Sequence, residues 1–235
     1  MLAKADSKSE GKISLADRVY EELRAAIVLG EIAQGSVFNE SDLVARFKVS
    51  TSPLREALSR LRQDGLVRVI PRRGYSVTEL TLRDFHELIQ MRLILECSAA
   101  ELAAPRITDS HVETMRRLSS VELQVGNQAS YRAFMRANQE FHEGIAQIAD
   151  NGRLLRAIAQ TMDEMQRLLF ADLGAAEDAE EVRHDHDEII DALARRDAAA
   201  ARQAVARHVK ISRDRVVGRM MRRHTGFADK PVFSA

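Results

Sequence analysis

The sequence predicts a mainly α-helical protein in two parts, a small N-terminal unit of three helices with a two-stranded β-hairpin and a larger bundle of about six helices. Three observations carry this. Ala, Leu, Arg and Glu are frequent while aromatic residues make up 5% and Trp is absent, a mixture that favours helix over sheet. Alternating strand-like residues are confined to 66–78. From Thr81 onward the apolar spacing is helical throughout.

The first thirteen residues are polar, carry Lys4, Lys8 and Lys12 and show no period, so a disordered arm is expected. Ser14 with Asp17 three positions on predicts a capping box opening the first helix. Leu15, Val19, Leu23 and Ile27 form its apolar stripe, and Gly30 stops it. Asn39 or Ser41 can cap a short second helix holding Leu43, Val44 and Phe47. Lys48-Val49-Ser50 has the length of a tight helix–helix turn. A third helix follows from Thr51 to Asp64, with Pro53 in the first turn, where its missing N–H costs no intrahelical bond. Leu54, Ala57, Leu58 and Leu61 share one face of it; Arg55, Ser59 and Arg62 lie on another. Asp64-Gly65 ends the helix. Leu66–Ile70 and Tyr75–Thr78 read as strands joined by the turn Pro71-Arg72-Arg73-Gly74. Three helices and a two-stranded wing over 14–80 make a winged helix-turn-helix, whose third helix has the size to enter a major groove.

Thr81 and Asp84 predict a second capping box, opening a long helix with Phe85, Leu88, Ile89, Leu95, Ala99 and Ala103 on its stripe and Pro105 at its end. Further helices are expected near 108–125, 130–150, 152–174, 179–196 and 198–219, with breaks at Gly126-Asn127, Asn151-Gly152, Gly174 and Asp197. The domain boundaries expected are thus 14–80 and 81–219, with a loosely held tail over 220–235.

Net charge is zero, which by itself argues against a nucleic-acid binder. Its distribution does not. Between Arg46 and Arg73 eight basic residues face two acids, whereas residues 81–235 hold 22 basic and 24 acidic. A local basic face suits DNA, because phosphate contacts are local; a solvated basic surface reads equally well from charge alone. The single Cys97 excludes an internal disulfide and fits a reducing cytoplasm. The N-terminus has no apolar h-region and the chain no long apolar run, so neither a secretory signal nor a membrane span is expected.

Seven histidines occur, at 86, 111, 142, 184, 186, 208 and 224. Any one is by default a surface or satisfied core residue. Helical spacing places His142 with Phe134, Asn138, Phe141 and Ile145, His186 with Ile189, Ile190 and Leu193, and His208 with Ala201, Ala204, Val205 and Ile211. All three are inward faces. His184 aligns with Asp187, Glu188 and Asp191, an outward face. Three inward imidazoles with the Asn138 carbonyl one turn before His142 can close on one divalent ion. His86 is a competitor on its own apolar face. Arg92 falls within the stripe of the long helix with Glu96 one turn on, either as an internal ion pair or as an anchor for a small carboxylate.

The run Ser50-Thr51-Ser52-Pro53-Leu54-Arg55-Glu56-Ala57-Leu58, then Leu61, Asp64-Gly65-Leu66-Val67 and Pro71-Arg72-Arg73-Gly74, resembles the GntR family of bacterial regulators, and the helical remainder resembles its FadR-like subgroup with a C-terminal FCD domain. The resemblance covers about residues 14–217. It implies a homodimeric, ligand-responsive transcription regulator, not an enzyme, with DNA contacts at Thr51, Ser52, Arg55, Arg72, Arg73 and Gly74. Thr51 stands where an Arg is usual, and Ser41 where some members are basic, which shifts recognition onto Arg55 and the wing. The resemblance further implies a metal at Asn138, His142, His186 and His208, with zinc fitting best and nickel, iron or manganese as alternatives, and a small organic acid as effector beside Arg92, its binding releasing a repressor from an operator. A metal-sensing regulator remains the alternative. The remote one is a metal-dependent hydrolase using Glu140 or Glu143 as base.

Overall fold

The computed structural model describes residues 14–124, 127–171 and 179–226. The arm at 1–13, the break at Gly174 and the last nine residues of the tail lie outside the described residues. The chain divides into two compact units, Met1–Glu79 and Leu80–Ala235.

In the first unit α1 (Leu15–Val28) opens on the expected capping box, the Ser14 hydroxyl accepting from the Asp17 N–H. Its buried face is Ala16, Val19, Leu23, Ala26 and Ile27. Leu15 is exposed, because at the first helical position it points past the end of the core. α2 (Glu40–Phe47) is capped by Asn39, and Lys48 ends it in the left-handed region at φ 52°. α3 (Thr51–Gln63) buries Leu54, Ala57, Leu58 and Leu61 against α1. The hairpin is β2 (Val67–Ile70) with β3 (Gly74–Val77). This hairpin is the expected two-stranded wing, and a short third strand, β1 (Val37–Phe38), extends it into an antiparallel sheet in the order β1-β3-β2. The added strand pairs Val37 with Ser76 and Phe38 with Tyr75. Two residues are too few to carry a period, and their partners lie far along the chain.

The second unit is helical. α4 (Leu82–Ala103) starts on the Thr81–Asp84 capping box and packs against α6 (Gln128–Ile148), α7 (Gly152–Ala171) and α9 (Ala198–Gly226). Ala99, Ala100 and Ala103, all fully buried, let neighbouring backbones approach closely. A 3-10 turn at Ala104–Arg106 carries Pro105. α5 (Asp109–Ser119), α6, α7, α8 (Ala179–Ala194) and α9 follow, with α5 against α6 and α8, and α8 against α9. α9 runs past the expected end at 219, since Gly218 only weakens a helix interior and nothing breaks it before Gly226. The core joins Phe85, Ile89, Phe141, Ile145, Ile158, Met162, Ile189, Leu193, Val205 and Val209.

Candidate metal centre and DNA-reading face

The helical unit converges three imidazoles. His142 comes from α6, His186 from α8 and His208 from α9, and their ligand atoms all lie within 4.8 Å of one another. Each ring is almost fully buried. The placement is a consequence of apolar patterning: each histidine occupies a position on a stripe that packs inward. His186 stacks on Phe141 with centroids 3.9 Å apart and planes 9° apart, which fixes its ring. Among the described residues, Nδ1 and Nε2 of His142, Nε2 of His186 and Nδ1 of His208 have no hydrogen-bond partner, although a carboxylate lies beside each of the two Nδ1 atoms. Buried polar atoms left unpaired are costly, and one ring nitrogen from each of three converging histidines is a donor set that a divalent cation could take.

Burial, and next the neighbouring imidazoles and the Arg92 and Arg215 cations, push the His186 pKa well below its ordinary value of 6.5. Burial likewise takes His208 down to about 4, against the pull of Asp185. Both rings are therefore neutral near pH 7, the form that binds a metal.

Two carboxylates border the rings. Glu96 Oε2 stands 2.7 Å from His142 Nδ1, at ion-pair distance but off the line of a hydrogen bond. Asp185 Oδ2 is 3.6 Å from His208 Nδ1 and accepts from Arg215 Nη1 at 3.1 Å. Burial works against the charge on Glu96, yet Arg92 and His142 together hold its carboxyl well below the usual range. Arg92 is itself buried, its Nε donating to Glu96 Oε1 at 2.6 Å and Nη2 to Oε2 at 3.4 Å. Of the two readings of Arg92, the internal ion pair is thus formed. Asn138 is partly buried one turn before His142. His184 is exposed, and so is His86, whose ring lies at hydrogen-bond distance from the Gln90 amide.

Asp185 went unnoticed in the sequence because it neighbours His186 along α8 yet serves His208 on α9. No single-helix period signals that. Glu140 and Glu143 do not join the histidines: both line a separate cavity of 660 Å³ with Arg106, His111 and Arg117.

In the first unit Thr51, Ser52, Arg55, Arg72 and Arg73 are exposed, and Gly74 is partly buried at the wing turn. Gly74 has φ +104°, and a Cβ there would meet the Phe38 carbonyl oxygen at 2.4 Å. The α3 arginines differ. Arg60 is tied down, with Nη1 2.6 Å from Asp17 Oδ1 and its guanidinium 4.0 Å above the Tyr20 ring. Arg55 Nε donates to Glu40 Oε2 at 2.9 Å while the side chain stays mostly exposed.

Residues 15–77 match the family described as bacterial regulatory proteins, gntR family, and residues 87–210 match the FCD domain. The chain belongs to the GntR family. Its relatives include the uncharacterized HTH-type transcriptional regulator YdhC of Bacillus subtilis, 29% identical over 80% of this chain and 85% of that one. Another is the HTH-type transcriptional repressor RspR of Escherichia coli, 27% identical over 82% and 85%. The E. coli McbR/YncC structure superposes with a TM-score of 0.77 at 22% identity, covering 89% of this chain and all of that one, which shows the shared fold. GntR-family members are DNA-binding transcription regulators, not enzymes, and this chain is one. No helix among its described residues is long and apolar enough to cross a membrane.

Proposed function

We propose that this GntR-family regulator is a cytoplasmic homodimeric repressor, released from its operator by a small organic acid that binds at a divalent metal in the FCD domain. The observation that carries the reading is the buried trio of His142, His186 and His208 with unpartnered ring nitrogens. An imidazole ligates a metal through an unprotonated nitrogen, so the three histidines and the Asn138 carbonyl would serve as uncharged donors. A divalent ion held by those donors would supply a positive anchor for a carboxylate, with Glu96 and Asp185 beside the rings offsetting part of its charge. Zinc suits this donor set best, with nickel, iron or manganese as alternatives. Arg92 adds a second cation near the rings. In the DNA-reading unit, Arg55 would take a guanine edge, and Thr51, Ser52, Arg72, Arg73 and the close-approaching Gly74 backbone would hold phosphates or the minor groove. A dimer would present two such faces to two half-sites. α4 supports one, leaving Met91, Ile94 and Leu102 exposed along one side.

One observation favours a second reading. Arg92 is already held by both oxygens of Glu96, which leaves it less to offer an effector, and the ion itself would then be the signal. Fluorescence anisotropy on an operator duplex separates the two. The protein is stripped with a chelator, reloaded with zinc, and titrated with acetate, lactate, succinate and citrate. The proposal expects at least one acid to weaken DNA binding about tenfold or more, only when zinc is present, since a ligand shifts an equilibrium only by its differential affinity. Weakening by zinc alone supports the metal sensor. Indifference to both overturns the two readings together.

A further inference from the structure

We propose that Glu40 is a specificity-determining positioning residue, a carboxylate that aims the Arg55 guanidinium at the base edge it reads. The proposal rests on the reading of Arg55 as the base-contacting residue. Glu40 is the first residue of α2, and Arg55 lies in the second turn of α3. Their side chains meet through a single 2.9 Å bond from Arg55 Nε to Glu40 Oε2. Using Nε leaves both η nitrogens of Arg55 without a partner among the described residues. Those two nitrogens are the end of the guanidinium fork that can grip guanine O6 and N7 bidentately.

The carboxylate is itself held. Its position on α2 is set by the Asn39 cap and the first helical turn, where an acid is favoured by the helix dipole. Its other oxygen, Oε1, accepts from the Tyr75 hydroxyl on β3 at 3.5 Å. The Tyr75 ring in turn stacks on Phe38 of β1, with centroids 6.2 Å apart. Glu40 therefore links α2, the reading helix α3 and the sheet that carries the wing.

Electrostatics argues that this acid has a local task. A carboxylate beside the DNA-reading face repels phosphate and lowers general affinity. Among the exposed arginines of α3 and the wing, Arg62, Arg72 and Arg73 have no acidic partner among the described residues; Arg55 does. Residues that only neutralise phosphates gain nothing from a fixed direction. A residue that must present two N–H groups at the angle of one base does gain, because a long side chain otherwise loses rotamer freedom on binding.

The test uses the full-length protein and a library of duplex DNA with a randomised central segment. Sequences enriched by the wild type, E40A, E40Q, R55K and the double variant E40A/R55K are compared, and the ratio of affinity for the winning duplex to that for a scrambled duplex is measured at one salt concentration. R55K is expected to erase the preference at one base pair per half-site. E40A is expected to blunt the preference at that same base pair, reducing the affinity ratio roughly three- to tenfold, while affinity for the scrambled duplex stays equal or tightens. E40Q, which keeps an acceptor for Nε, should retain most of the ratio. E40A added to R55K should change the ratio no further. A role confined to stabilising the start of α2 would instead lower both affinities together and act independently of Arg55. If E40A enriches the wild-type motif at full strength, or if its effect multiplies with that of R55K, Glu40 does not act through Arg55 and the proposal fails. If R55K itself leaves the motif unchanged, the assignment of Arg55 as base reader fails and takes the proposal with it.

Discussion

His184 and His186 are two residues apart on α8 and face opposite ways, one exposed and one buried in the trio with His142 and His208. Substitution therefore separates them. His186→Ala should lower the zinc retained after dialysis at least about tenfold, because even outer-sphere partners of a metal commonly matter by that factor. His184→Ala should leave retained zinc unchanged. Elemental analysis against protein concentration reads both, and equal loss in the two variants would sink the ligand assignment. Protonation gives an independent check. His186 and His208 have pKa values depressed by burial, that of His208 to about 4, against an ordinary value of 6.5. In metal-free protein the unfolded chain takes up protons below pH 6.5 while the native rings stay neutral, so unfolding is favoured as pH falls from 6.5 toward 4. Stability should decline over that window by about 1.4 kcal/mol per pH unit for each ring. Urea titrations of chelated protein between pH 7.5 and 4.5 would show it, and zinc should restore the loss near the upper end of the range. The three histidines were legible in the sequence because each lies on a stripe of 3.6-residue period. Asp185 and the contact of Glu96 with His142 were not, since both run between helices.

At the scale of elements, the helix starts were the clearest signals. Ser14 with Asp17 and Thr81 with Asp84 form capping boxes in which side chain and backbone satisfy each other within four residues. Local chemistry of that kind needs no tertiary partner. β1 is the opposite case: its pairing with β3 joins positions about forty residues apart. The wing turn depends on that strand. Gly74 takes a φ that L side chains rarely adopt, and its missing Cβ makes room for the Phe38 carbonyl. Gly74→Val should destabilise the protein by about 1–3 kcal/mol through strain and displacement of β1, seen as a lower Tm. It should also weaken DNA binding while leaving zinc content intact, because the histidines lie in the other unit. An unchanged melting curve would mean the turn tolerates a side chain.

For the whole molecule, the proposed dimer makes the most exposed demand. Ile94 is 62% exposed on α4, alongside Met91 and Leu102, and a charge there costs the isolated fold little. Ile94→Glu should therefore halve the mass seen in sedimentation equilibrium and weaken operator binding by the loss of simultaneous contact with two half-sites, with helix content unchanged by circular dichroism. A variant that sediments as the wild type would move the interface elsewhere.

Amphipathic period, caps and breakers determined the helices of both units and the inward histidines, and the run Ser50–Leu58 with the wing turn carried the GntR resemblance, because each is a property of residues near one another in the chain. Arg92 was the limit of that reasoning: its place on an apolar stripe left an internal ion pair and a ligand anchor equally open, and only the fold, by burying Glu96 within 2.6 Å of it, decided that the pair forms. Tertiary structure likewise decided that Arg60 is held by Asp17 and Tyr20 while Arg55 is held by Glu40 with its η nitrogens left over. The two arginines are five residues apart on one helix and so lie on different faces, but the period does not say which acid each meets. Asp17 on α1 and Glu40 on α2, brought alongside by the fold, decide that.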